Sequence, residues 1–151
     1  MPKTSENIYQ TARLSAGLTQ EEAAERLAVS SSAVRAYETD VRLPAEDIVE
    51  RMCAVYGNHY LGLQHIQRKG RLLPKCVQAA KPEPLETATI KLVNRTMAFA
   101  RAHHNDELLL IAEDGVIDNV ERPHFDTIMA ELDGIVQAAL ALLFAEEVQY
   151  A

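Results

Sequence analysis

Residues Leu18 to Pro44 read Leu-Thr-Gln-Glu-Glu-Ala-Ala-Glu-Arg-Leu-Ala-Val-Ser-Ser-Ser-Ala-Val-Arg-Ala-Tyr-Glu-Thr-Asp-Val-Arg-Leu-Pro. Thr19 is a good helix N-cap, and Glu22 three positions later completes a capping box that satisfies otherwise orphaned backbone N–H groups. Glu21 and Glu22 suit the positive end of the helix dipole. Ala23, Ala24 and Leu27 then recur at helical spacing, and the two alanines let a second helix approach closely. Ala28-Val29 forms a turn, and Ser30 caps a helix running to about Glu38, with Val34 and Tyr37 on one face. The opposite face carries Ser31, Ser32 and Arg35. The stretch thus predicts two short helices joined by a tight turn.

That arrangement can present side chains to the major groove of DNA. The segment from Ile8 to Gly57, about a third of the chain, resembles the phage-repressor and Cro-type (Xre-like) helix-turn-helix family. The matching features are Arg13, the Gly17-Leu18-Thr19-Gln20 run, Ala24, the turn at Ala28-Val29-Ser30, Val34, Glu38 and Pro44. The resemblance implies that Gln20 grips a phosphate and that Ser31 and Ser32 touch base edges, with Arg35 one turn on. It also implies that Arg13 and Glu38 form an ion pair tying the first helix to the recognition helix. Two positions depart from the family pattern: Ala28 and Asp40 stand where glycine is common.

Readout chemistry sets what these residues can do. An arginine fork on guanine gives about 1–3 kcal/mol of discrimination, so Arg35 is the strongest candidate base reader. Serines are short and can both donate and accept, so Ser31 and Ser32 would specify bases weakly, and helix capping is the competing reading for both. For Ser30 capping is favoured, and for Arg35 the competing reading is a solvated surface side chain. Thr19, Gln20 and Arg42 are read as phosphate contacts that set register.

The chain has 151 residues and a formal net charge of −7. Residues 1–66 carry 6 basic and 9 acidic groups, residues 67–84 carry 5 and 1, and residues 85–151 carry 4 and 12. The negative charge is therefore concentrated away from the proposed DNA surface. The basic run Arg68, Lys69, Arg71, Lys75 and Lys81 could track phosphates or could simply solvate a linker. With so few long-range cations, DNA binding should depend on a handful of well-placed ones. Two cysteines without CxxC spacing imply neither a metal site nor a disulfide framework. No apolar run approaches the ~18 residues of a membrane span, and the first residues lack a signal-peptide core, so a cytoplasmic protein without membrane association is expected.

Organisation follows from helical periodicity and its breaks. The expected fold is all-α: a five-helix helix-turn-helix domain over 1–66, a basic linker over 67–84 and a helical dimerisation domain over 85–151. The first helix should run from about Ser5 to Ala16 with Ile8, Tyr9 and Leu14 inward and Gly17 as its stop. The fourth carries Ile48, Val49, Met52 and Val55, and Asn58 can cap the fifth. Gly70, Pro74, Pro82 and Pro84 break the pattern. Beyond them a helix over about Leu85 to His104 carries a stripe of Ile90, Val93 and Met97, and a shorter one takes in Leu108 to Glu113. The last, from about His124 to Gln149, has Phe125, Met129, Leu132, Val136, Ala139 and Leu143 at heptad spacing. That seam reads as a dimer interface, the competing reading being a core helix of its own domain. Asp114 to Glu121 has some of the spacing of a calcium loop, but Leu110 and Ala112 occupy its first ligand positions, so it reads as a turn.

No nucleophile elbow, phosphate-cradling glycine loop or HExxH motif is present, so no enzyme and no cofactor is expected. These residues together point to a homodimeric, prokaryotic or phage transcription regulator that binds an operator of two half-sites, commonly as a repressor. The rival is a protein-interaction module, such as an antitoxin or adaptor, that keeps the scaffold and uses its acidic carboxy-terminal helices. An effector stays open in both.

Overall fold

Local capping chemistry sets where the first helices begin. The computed structural model describes residues 6–145, and helices account for all the regular secondary structure among them. In order they are α1 (Ile8–Ser15), α2 (Gln20–Leu27), α3 (Ser31–Glu38), α4 (Glu46–Tyr56), α5 (Tyr60–Lys69), α6 (Lys75–Ala79), α7 (Leu85–Arg101), α8 (His104–Ile111) and α9 (Arg122–Leu143). They fall into two units divided between Arg71 and Leu72.

In the first unit Asn7 caps α1, its Oδ1 accepting from the N–H groups of Tyr9 and Gln10 at 3.0 and 3.1 Å. Helix α1 therefore begins later than its composition predicts. Thr19 accepts from the Glu22 N–H at 3.1 Å while Glu22 Oε2 accepts from the Thr19 N–H at 2.8 Å, a complete capping box. Ser30 Oγ accepts from the Ala33 N–H at 3.1 Å and starts α3. The Leu61 N–H donates to Asn58 Oδ1 at 3.2 Å at the head of α5.

Five helices close around Tyr9, Leu27, Val34, Met52 and Leu61, all fully buried. The zero exposure of Ala23 shows why a small residue stands there: α2 packs directly on α3 and α4. Leu14, expected inward, is 59% exposed. Its place on the inner face of α1 goes to Ala12 and Arg13, because the arginine has a buried carboxylate to meet.

Ala28 ends α2 in the left-handed region, at φ 54° and ψ 44°. A Cβ in that region costs roughly 1–2 kcal/mol, which a glycine avoids at the expense of a more flexible unfolded chain. Ala28→Gly is therefore expected to stabilise the first unit by about 0.5–1 kcal/mol. The check is the urea midpoint followed by far-ultraviolet circular dichroism, which should rise.

A second prediction concerns alkaline pH. Burial, with the Glu38 charge adding to it and Arg13 opposing, pushes the Tyr56 phenol up to about 12. In the unfolded chain it ionises near 10, so between these values the folded unit holds more protons. The stability tied to the neutral phenol is complete below about pH 10 and is lost as pH rises toward about 12. Urea midpoints should fall through that window in the natural protein and fall less in Tyr56→Phe.

The second unit corrects several expectations. The segment 67–84 is not one linker: Arg68 and Lys69 belong to α5, while Lys75–Ala79 is helical and packs on α9. Cys76 and Ala80 are buried there, and the Cys76 N–H donates to Asp133 Oδ1 at 3.3 Å. The basic run is thus split between the two units. Helix α7 packs on α9, with Ala88 buried on the first and Gly134, Ala138 and Ala141 buried on the second. A Cβ at Gly134 would meet Arg95 Nη1 at 2.0 Å, so glycine there makes room for the guanidinium. Ile90, Val93 and Met97 lie on the other side of α7, 59%, 47% and 46% exposed. Helix α8 begins at His104, earlier than expected, and α9 begins at Arg122, where Asp118 Oδ1 accepts from the Val120 and Glu121 N–H groups. The tail of the predicted last helix, from residue 146 on, lies outside the described residues.

Candidate nucleic-acid interface

The recognition helix is held from beneath by charge. Arg13 Nε donates to Glu38 Oε1 at 2.6 Å and Nη2 donates to Oε2 at 3.0 Å, a bidentate pair from α1 to the last turn of α3. Arg13 Nη1 donates to the Leu18 carbonyl at 2.6 Å, and Gln20 Nε2 donates to Glu38 Oε2 at 2.7 Å. The Arg13 and Glu38 side chains are 7% and 2% exposed. The Glu38 carboxylate holds the Arg13 guanidinium above its usual range, outweighing burial. Desolvated charges need this many partners to be tolerated. The network joins α1, α2 and α3 and fixes their relative orientation.

At the other end of α3 lies an exposed face. Ser31, Ser32 and Arg35 are all exposed. Ser30 and Ser32 share a hydroxyl–hydroxyl hydrogen bond at 2.9 Å, so Ser32 is tied to the cap, whereas Ser30 makes the cap itself. Among the described residues nothing accepts a hydrogen bond from the guanidinium of the exposed Arg35. The N-terminus of α3 adds free N–H groups and the positive end of the helix dipole beside these side chains.

The residues read as phosphate contacts divide by how firmly they are held. Thr19 is exposed with its oxygen accepting in the capping box. Gln20 is half-buried with one amide hydrogen committed to Glu38, which leaves the other hydrogen and the carbonyl oxygen. Arg42 Nη2 donates to the Tyr37 phenol oxygen at 2.9 Å, and its guanidinium stands 5.0 Å from the centre of that ring. Arg42 is a pre-positioned cation, and Arg35 is a free one.

Two groups of residues escaped the reading of the sequence. Asn7 Nδ2 donates to the Tyr37 carbonyl at 2.9 Å and to Asp40 Oδ1 at 2.7 Å, and Arg68 pairs with the same Asp40 oxygen. Asp40 holds φ 59°, so these bonds secure a left-handed residue right after the recognition helix. Arg68 also lies over the Tyr9 ring, and the Tyr9 hydroxyl meets His65 Nδ1 at 2.7 Å. The second group is an open depression beside α3, about 390 Å³, lined by Ser30, Ser32, Ala33, Ala36, Val41 and Arg42. The sequence carries only one sign of it, the apolar Val41 between the charged Asp40 and Arg42.

In the second unit the seam read as a dimer interface is divided. Phe125, Met129 and Leu132 are half-buried, whereas Val136, Ala139 and Leu143 are exposed. Among the described residues no group of three or more His, Cys, Asp or Glu side chains is placed to hold a metal, and no helix is long and apolar enough to cross a membrane.

Fold and face together define a small class: helical domains whose recognition helix is buttressed by a buried ion pair and presented to a ligand. Residues 10–58 match the family model described as a helix-turn-helix domain. The first unit is such a domain, of the kind found in Xre-like and Cro-type regulators, and it supports a DNA-binding regulator in general. No curated protein and no solved structure matches the chain.

Proposed function

We propose that this protein is a sequence-specific transcription regulator, without catalytic activity, that acts as a repressor by occupying an operator of two half-sites as a homodimer. The observation that carries the reading is the uncommitted Arg35 guanidinium on the exposed face of a helix whose other face is locked by Arg13 and Glu38. Arg35 reads a base, Ser31 assists, and Thr19, Gln20 and Arg42 set register on phosphates. Exposed apolar side chains in the second unit, Val136 and Leu143 on α9 with Ile90, Val93 and Met97 on α7, support self-association there. Two recognition helices related by a two-fold axis would meet successive major grooves about 34 Å apart.

A second reading, a protein-interaction module, is favoured by the same exposed side chains together with the net charge of −7. Gln20→Ala tests the docking face of the first reading. In the DNA reader it should weaken binding to specific and random duplexes alike, with little change of preference, because a phosphate contact carries no sequence information. It also removes a bond to a buried carboxylate, worth about 1.5–3 kcal/mol, so the thermal midpoint must be measured beside the affinity. Fluorescence anisotropy with a labelled duplex, well below that midpoint, is the check. Duplex affinity unchanged by Gln20→Ala would remove this residue from the docking face.

A further inference from the structure

Three basic residues outside the DNA face converge on a cavity of the second unit. Its volume is about 490 Å³, and Lys81, Lys91 and Arg95 line it together with a single carboxylate, Glu83. Residues 85–151 carry only four basic groups, and two of them stand at this one place. Lys91 Nζ donates to Glu83 Oε1 at 2.8 Å, while Glu83 Oε2 is buried with no donor among the described residues. The lysine is therefore held at the wall by a partly desolvated carboxylate. Arg95 reaches across to α9, where a side chain at position 134 would collide with its Nη1. Arg95 and Lys81 are exposed, and no carboxylate among the described residues pairs with either. Three cations and one carboxylate leave the cavity two positive charges in excess. The remaining lining is chiefly alanine, with Ala88 buried on α7 and Ala138 and Ala141 on α9.

That combination selects among ligands. An excess of two positive charges favours a dianion, and a guanidinium grips carboxylate or phosphate oxygens through paired hydrogen bonds. Alanine methyls favour an organic body over a bare inorganic ion, and the volume is that of a small-molecule site. We propose that this cavity binds a small organic dianion, a dicarboxylate or a phosphate monoester. Arg95 and Lys81 hold its charged oxygens, and Glu83 keeps Lys91 beside them. The lining comes from the end of α6, the connection to α7, α7 itself and α9, so an occupied cavity ties these segments together. The site lies wholly in the second unit and does not rest on DNA reading by α3.

The test titrates the full-length protein with succinate and with ethyl phosphate at mildly alkaline pH and constant ionic strength, followed by amide NMR. Butyrate and succinamide serve as the singly charged and neutral controls. At least one dianion should shift the Ala88 and Ala138 amide signals saturably, bind about tenfold tighter than either control and raise the thermal midpoint. The tighter probe then tells a carboxylate ligand from a phosphate one. Arg95→Met and Lys81→Met should each weaken that binding about tenfold or more, the value of a hydrogen bond to a charged group. Arg101→Met, at an exposed arginine of α7 that does not line the cavity, should not. No saturable shift with either dianion would overturn the proposal, as would equal binding of butyrate or succinamide. So would folded Arg95→Met and Lys81→Met proteins that bind the dianion as the natural one does. Loss of duplex affinity in those variants without any dianion binding would assign the cations to DNA and likewise overturn it. None of these outcomes bears on base reading by Arg35.

Discussion

Glu38→Ala is expected to cost the first unit about 3–5 kcal/mol, because it strands the buried Arg13 guanidinium without its carboxylate. Gln20 Nε2 loses its acceptor in the same change. A domain of ordinary stability has only about 5–15 kcal/mol in hand, so the helix-turn-helix unit should be substantially unfolded at modest urea. Urea titration followed at 222 nm measures this. A control identifies the cause: in Arg13→Met/Glu38→Leu no charge is left buried, and part of the loss should return. Single and double variants of equal stability would show that packing, not the uncompensated charge, sets the cost. Loss of DNA binding in Glu38→Ala then follows from unfolding, which keeps Glu38 apart from the residues that touch DNA.

Arg35→Ala is expected to do the opposite, leaving stability nearly unchanged while removing sequence preference. The side chain is exposed and bonded to no described residue, so its loss should change stability by less than about 0.5 kcal/mol. A bidentate contact to guanine is worth about 1–3 kcal/mol, so discrimination at one position per half-site should fall by roughly fivefold to 150-fold. Competition between the selected duplex and versions with single base changes reads this directly. Affinity for random duplex should fall much less. If Arg35→Ala lost affinity equally for all sequences, Arg35 would be a phosphate contact, and base reading would pass to other residues on α3.

The pair of variants also separates what the sequence makes legible from what it hides. Signals that act over a few residues were readable: the Thr19–Glu22 capping box, the Ser30 cap and the stop at Gly17 all involve neighbours in the chain. Arg13 and Glu38 are 25 residues apart, and only the family resemblance put them together. Their burial also explains why Leu14 is outside, since periodicity cannot tell that an arginine will take the inner position.

The second unit was harder for a related reason. On α7 the large apolar residues Ile90, Val93 and Met97 suggested the core face, but close approach to α9 favours the smaller Ala88, with Gly134, Ala138 and Ala141 buried on α9. Residues 75–79 carry no capping signal, and the bond that seats Cys76 comes from Asp133, 57 residues away. In the interface, Arg42 was read from its position in the motif. Its fixed pose depends on Tyr37, whose helical spacing with Val34 marks only a core position.

Selection from a random duplex library at moderate salt, run in parallel with the natural protein and Arg35→Ala, tests sequence reading by α3 most directly. The expected result is a two-fold symmetric site enriched by the natural protein, with half-sites about 34 Å apart and relaxed preference in the variant. No enrichment by well-folded protein, or the same site enriched equally by both, would contradict it.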